Sequence, residues 1–113
     1  MSEILNTKAA IDFTDNDIDL YKDLLQYYLS DNKFDVKYFT DLIIKSKQEA
    51  ATYIHRIKGS SSQIGAELAC EKGQEIEDIL KGKADGNLSR LINDFCEIYI
   101  KTQKAINNFL ETH

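Results

Sequence analysis

His55, Lys58 and Gly59 form the one group in this sequence whose residue types and spacing suggest chemistry. Residues three and four positions apart share a face of an α-helix, so a helix here would place an imidazole and an ammonium group beside uncovered backbone. Apolar residues such as Ile54 and Ile57 form a different stripe, which predicts that His55 is exposed. A neutral imidazole is a nucleophile at neutral pH without an activating base, and phosphoryl transfer requires mainly access and charge neutralisation. The segment therefore predicts a phosphoryl-acceptor histidine.

Three neighbouring residues, Lys58, Gly59 and Ser62, are predicted to support His55. Lys58 supplies positive charge, which at an exposed site contributes about 1 kcal/mol or less. A glycine inside a helix costs about 1 kcal/mol relative to alanine, so Gly59 is expected to serve access to the imidazole rather than helix stability. Ser62 follows two turns after His55 on the same face and adds little bulk.

A polar side chain on the following helix is expected to face His55. If the antiparallel turn between the two helices centres near residues 65–66, His55 lies opposite about residue 76, close to Gln74 and Glu77. A glutamate could accept a hydrogen bond from the ring N–H and hold one tautomer, but its charge would repel an incoming phosphoryl group. Both Glu77 and Gln74 are therefore candidates for orienting the imidazole.

Apolar residues at helical spacing run through almost the whole chain, and no segment alternates as a strand would. Thr14 is the predicted N-cap of a first helix, a second begins near Asp35, and a third begins at Ser46 and ends at Gly65. A fourth helix precedes a glycine-containing loop, and the last helix follows it. With no proline, the sequence predicts an all-α antiparallel bundle in one domain, residues 13–113, after an N-terminal arm, residues 1–12.

At the histidine motif the sequence resembles the histidine-containing phosphotransfer (HPt) domains of bacterial and fungal multistep phosphorelays. The family string His-x-hydrophobic-Lys-Gly-small-small-x-x-hydrophobic-Gly is matched from His55 to Gly65. The resemblance covers about residues 13–111 and implies an antiparallel four-helix up-down bundle with an additional short N-terminal helix. It also implies that His55 accepts a phosphoryl group from the aspartate of a receiver domain and passes it to another receiver. Many members of the family carry glutamine where this chain has Glu77.

The implied protein is a phosphocarrier in two-component signalling and not an enzyme, because the sequence has no glycine loop that would bind ATP. The implied partners are response-regulator receiver domains and a hybrid sensor histidine kinase. A formal charge of −5 disfavours nucleic acid, and the lack of a long apolar run or a signal peptide predicts a cytoplasmic protein that does not enter a membrane. The cysteines and histidines lack ligand spacing, so no metal or other cofactor is predicted. A single complete bundle predicts a monomer.

The same residues allow two alternatives to a phosphocarrier. The chain could be a non-catalytic helical adaptor or interaction bundle in which His55 is incidental, but such a role needs no exposed histidine beside a glycine. It could also be the histidine-bearing dimerisation part of a sensor kinase. A kinase needs an ATP-binding domain, for which 113 residues leave no room.

Overall fold

Helices make up all the regular secondary structure in residues 2–113, the part of the chain that the computed structural model describes. The helices in this range are α1 (Thr7–Phe13), α2 (Ile18–Asp31), α3 (Val36–Lys45), α4 (Lys47–Gln63), α5 (Glu67–Leu80) and α6 (Leu88–Thr112). The prediction of an all-α protein is therefore confirmed. Within the same residues, no helix has both the length and the apolar composition needed to cross a bilayer.

Short polar side chains determine where most of the helices begin. The side-chain oxygens of Asp17, Asp35, Ser46 and Asn87 each accept a hydrogen bond from the backbone N–H three residues later, at 3.0–3.2 Å. The predicted starts of α3 and α4 are confirmed, because Asp35 and Ser46 cap these helices. α5 has no side-chain cap and instead follows a tight turn in which Gly65 has a φ of +81°.

The sequence predicts Thr14 as the N-cap of a helix, but in the structure Thr14 lies at the C-terminal end of α1. The Thr14 hydroxyl donates to the carbonyl oxygens of Ile11 (2.8 Å) and Asp17 (3.2 Å), so it closes the end of α1. Asp15 and Asn16 have positive φ values of 54° and 63°, a conformation that these two residue types tolerate better than most. The chain turns there, and Asp17 becomes the N-cap of α2. The prediction that Thr14 is an N-cap is therefore wrong.

The segment that precedes α2 is bound to the turn between α4 and α5. The Asn6 N–H donates to the Gly65 carbonyl oxygen (2.8 Å), and the Asn6 side-chain amide donates to Glu67 (3.1 Å). A side chain at residue 65 would strike the Asn6 carbonyl group, so this turn requires a glycine for space as well as for its backbone conformation. The predicted arm, residues 1–12, thus contains most of α1 and contacts the other helices, while its first residue, Met1, lies outside the described residues.

Buried tyrosines join α2 to α4, and α6 to the end of α2. Tyr21 and Tyr28 of α2 are almost completely buried; the first hydroxyl donates to the Ile64 carbonyl oxygen and the second pairs with Ser61 Oγ, both at 2.8 Å. The Tyr99 hydroxyl of α6 donates to the carbonyl oxygen of Asn32, the C-cap of α2 (2.8 Å). A buried hydroxyl is costly unless it is hydrogen-bonded, so these bonds favour one alignment of the helices.

The most extensive helix contact is between α4 and α5, followed by α5 with α6 and α3 with α4. Gly73 of α5 permits the close approach, because a Cβ atom there would lie 3.2 Å from Lys58 Cβ of α4. Gly59 of α4 differs, since a Cβ atom added to it would meet nothing within 4 Å. One helical glycine therefore serves packing, and the other leaves open space at the surface.

Replacing these two glycines should have opposite effects on stability. Gly73→Val should lower the free energy of unfolding by about 1–3 kcal/mol, because overpacking forces the contact between α4 and α5 apart. Gly59→Ala should raise it by about 1 kcal/mol, since alanine is the better helix former and its methyl group meets no neighbour. Urea denaturation followed by circular dichroism measures both values. Changes of the same sign and size would contradict the packing role of Gly73.

Candidate functional site

His55 projects from α4 into solvent, and 62% of its side chain is exposed. The adjacent apolar residues Ile54 and Ile57 are buried, so the apolar stripe of α4 faces the core and the imidazole lies outside it, as the spacing predicts. The backbone at His55 is thereby held by a packed helix while the ring is accessible. This combination suits a side chain that reacts with an external partner.

One of the two ring nitrogens of His55 is bound by the protein itself. Nδ1 lies 3.1 Å from Oε1 and 3.0 Å from Oε2 of Glu77 on α5. An ionised carboxylate only accepts hydrogen bonds, so the neutral imidazole carries its proton on Nδ1 and its lone pair on Nε2. Nε2, on the other side of the ring, is therefore the nucleophilic atom.

Glu77 is the buried charged residue of this site, with 3% of its surface exposed. Besides His55, its carboxylate binds Lys58 Nζ at 2.9 Å and Lys81 Nζ at 2.6 Å. Burial raises the pKa of Glu77, but the hydrogen bonds from Lys81, Lys58 and His55 outweigh burial and lower this pKa to about 2. The carboxylate is consequently ionised at neutral pH.

The two lysines change the electrostatic effect that a glutamate would have on an anion. One carboxylate (−1), two ammonium groups (+2) and a neutral imidazole give the cluster a formal charge of +1. The repulsion expected from Glu77 alone is thus compensated. Lys81 was missed in the sequence analysis, although it lies four residues after Glu77, a spacing at which glutamate and lysine pair on a helix.

Gln74 does not contact His55 but holds Lys58. Lys58 Nζ donates to Gln74 Oε1 at 2.7 Å, and Gln74 Nε2 donates to Asp78 Oδ1 at 2.8 Å. Only 15% of the Lys58 side chain is exposed, and its ammonium group is bound to both Gln74 and Glu77. Of the two candidates for orienting the imidazole, Glu77 is therefore the one that touches it.

The remaining predicted residues lie at different distances from the imidazole. Gly59 is exposed one turn after His55 and leaves the ring uncovered on that side. Ser62 is also exposed, but seven residues along a helix correspond to about 10 Å, so it does not belong to the immediate site. It lines a separate surface groove with Ala9 and Phe13 of α1.

An open groove lies beside His55 between α4 and α5. Gln48 and Thr52 line it from α4, and Leu80 and Lys81 line it from the end of α5. Lys81 is 44% exposed, so its ammonium group is accessible from solvent as well as bound to Glu77. Among residues 2–113, no three histidine, cysteine or carboxylate side chains are grouped to bind a metal ion.

Acidification should weaken the fold through Glu77. Since the pKa of Glu77 falls from 4.5 to about 2 on folding, its contribution to stability is complete above about pH 5 and is lost as the pH falls through about 2. We expect this contribution to be on the order of 3 kcal/mol at neutral pH. The free energy of unfolding of a Glu77→Gln variant should therefore fall less on acidification than that of the unaltered protein.

The matched control for this titration is Glu75→Gln, which removes an exposed carboxylate of the same helix that pairs with Lys72. Its acid unfolding curve should follow that of the unaltered protein. A Glu77→Gln curve that also follows it would show that the buried carboxylate does not contribute in this way.

The geometry thus joins four side chains, His55, Lys58, Glu77 and Lys81, into one charged cluster on the surface formed by α4 and α5. The cluster presents one uncharged nucleophilic nitrogen next to excess positive charge. Comparisons of the chain with protein-family models, curated proteins and solved structures gave no match.

Proposed function

We propose that this protein is a histidine phosphotransfer protein of two-component signalling, in which His55 receives a phosphoryl group from a receiver-domain aspartate and passes it to another receiver. One observation carries the proposal: a buried, ionised carboxylate holds Nδ1 of an exposed imidazole, so that Nε2 carries the lone pair. An incidental surface histidine has no need of such a partner. The resemblance of the motif from His55 to Gly65 to HPt domains points the same way.

The transfer step needs only the groups of the site and the aspartyl phosphate of the receiver. The Nε2 lone pair attacks phosphorus and forms an N–P bond, while the bond from phosphorus to the aspartate oxygen breaks and its electron pair leaves on the carboxylate. The proton on Nδ1 stays in its hydrogen bond to Glu77, and the ring becomes a cation beside that carboxylate. Transfer to a second receiver reverses these changes.

Charge and access support the same reaction. The formal charge of +1 on the cluster attracts a phosphoryl group, and Lys81 is exposed on the groove beside the imidazole. The missing side chain at Gly59 leaves room for the surface of a second protein to reach Nε2. The donor and acceptor are therefore proposed to be receiver domains, with a hybrid sensor histidine kinase as the source of the phosphoryl group.

The proposal includes a finer description of the fold. α2, α4, α5 and α6 would form an antiparallel four-helix up-down bundle, to which α1 adds a short N-terminal helix. The short turn between α4 and α5, and the packing of α2 on both α4 and α6, support this arrangement. We further propose that the protein is a cytoplasmic monomer that needs no cofactor, binds no ATP, nucleic acid or membrane, and so is a carrier rather than an enzyme.

A helical adaptor is the second candidate, and one observation favours it. An apolar groove between α3 and α6 is lined by Val36, Ile43, Ile44 and Ile92, and Ile44 is 85% exposed. Exposed apolar surface of this kind is common where proteins bind each other. An adaptor that uses this groove would function without His55, so replacing the histidine separates the two candidates.

Phosphotransfer should depend on His55 and not on the other histidine, His113. The protein is incubated with receiver domains of the source organism that carry a radiolabelled phosphoryl group, and the label on each protein is measured. We expect label on the unaltered protein and on His113→Ala, and none on His55→Ala. Transfer to His55→Ala, or label that never leaves any receiver, would refute the phosphocarrier function.

The open space at Gly59 should matter for transfer between proteins but not for the chemistry of the imidazole. Gly59→Trp should slow transfer from a receiver at least about tenfold, because the indole would obstruct the partner, whereas Gly59→Ala should transfer at nearly the normal rate. Phosphoramidate, a small phosphoryl donor, should label His55 of both variants. Normal receiver transfer by Gly59→Trp would contradict the role of this space.

A further inference from the structure

We propose that Glu77 keeps the proton on Nδ1 of phosphorylated His55, while Lys58 and Lys81 oppose it, so that these three charges together set how readily the N–P bond breaks. The inference rests on the proposed function, because it concerns the phosphoryl group on Nε2. It assigns to Glu77 a role beyond orienting the ring. Glu77 is in this sense a positioning residue that also controls the leaving group.

The proton on Nδ1 decides what leaves when the N–P bond breaks. With that proton present, the bonding electron pair returns to Nε2 and the ring leaves as a neutral imidazole. Without it, the same electron pair would produce an imidazolate anion, which is a much poorer leaving group. A group that holds the proton on Nδ1 therefore makes the phosphohistidine more reactive towards a receiver and towards water.

The contacts of Glu77 place it where it can hold this proton. Both carboxylate oxygens are within 3.1 Å of Nδ1, and the carboxylate is buried, so its charge is poorly screened. An opposite charge at this distance favours the protonated ring, and like charges disfavour it. Lys58 and Lys81 act against Glu77 on the ring, yet they are also what keeps Glu77 ionised.

The other charged side chains nearby face elsewhere. The Arg56 guanidinium lies over the Tyr53 ring at 6.0 Å, and Asp78 accepts from Gln74. On α3, Lys45 pairs with Glu49 across the groove between α3 and α4, which His55 does not line. The balance at Nδ1 is therefore between one carboxylate and two ammonium groups.

The two matched variants are Glu77→Gln and Lys81→Gln. Glutamine can accept the same hydrogen bond as glutamate but carries no charge, so Glu77→Gln tests the charge and not the contact. Lys81→Gln removes one opposing charge and leaves Lys58 on Glu77. If Glu77 had only a structural role, the two variants would not shift the titration of the phosphohistidine in opposite directions.

The experiment uses the full chain phosphorylated by phosphoramidate, which needs no receiver domain. ³¹P NMR follows the phosphohistidine signal as the pH is varied, and the loss of that signal gives its lifetime. For Glu77→Gln we expect the midpoint of the titration to fall by about one pH unit, with a several-fold longer lifetime at neutral pH. For Lys81→Gln we expect a higher midpoint and a shorter lifetime.

Midpoints that move in the same direction, or that do not move, would overturn the inference. If Glu77→Gln fails to fold, as circular dichroism would show, Lys81→Gln alone decides the matter, because an unchanged or lower midpoint contradicts the proposal. Failure of the proposed function is distinguishable. In that case receivers transfer nothing to His55, while the phosphoramidate-labelled variants still shift in opposite directions.

Discussion

The site depends on the hydrogen bonds and ion pairs that the buried carboxylate of Glu77 forms. A single negative charge with 3% exposure must be compensated by hydrogen bonds, and its partners are His55 and two lysines. Those bonds orient the imidazole, hold the ammonium group of Lys58 in place and leave excess positive charge at the surface. Orientation, tautomer and local charge therefore have one physical origin. None of them could change without affecting the others.

Packing between helices supplies the geometry that this carboxylate needs. Gly73 lets α5 approach α4 at Lys58, which brings Glu77 within reach of Nδ1. Tyr28 meets Ser61 on the adjacent, buried face of α4. A helix held on one face by buried hydrogen bonds and on the next by an ion cluster has little freedom to rotate. Buried hydrogen bonds thus help to fix the orientation of the helix that carries His55.

The sequence predicted those features that depend on neighbouring residues. Ser46 caps α4 because its hydroxyl reaches a backbone N–H three residues later, and such patterns are visible in a short segment. Local patterns indicated only an arm over residues 1–12, and the short N-terminal helix was implied by the resemblance alone, since α1 has one buried residue, Ala10, and is held by contacts to a distant turn. The cap at Thr14 was wrong because Asp15 and its neighbour adopt positive φ, which propensity alone does not indicate.

The sequence predicted the exposure of His55, but it did not predict the charged cluster around it. The stripe of α4 places His55 outside the core whatever its partners are. The choice between Gln74 and Glu77 depends on how α4 and α5 align across a turn, which no local pattern determines. Lys81 lies one helical turn beyond Glu77, and its importance appears only when the burial of Glu77 is known.

The distribution of the cluster over two helices has a mechanical consequence. An α-helix rises about 1.5 Å per residue, whereas a hydrogen bond is lost when its atoms separate by roughly another half ångström. A slide of α5 along α4 by a fraction of one residue would therefore release Nδ1 and let the ring rotate. The turn at residues 64–66, to which Asn6 is bonded, fixes that alignment. The orientation of the imidazole thus depends on how α4 and α5 are aligned along their length. A force applied at the turn would displace the hydrogen bond at Nδ1, about three helical turns away.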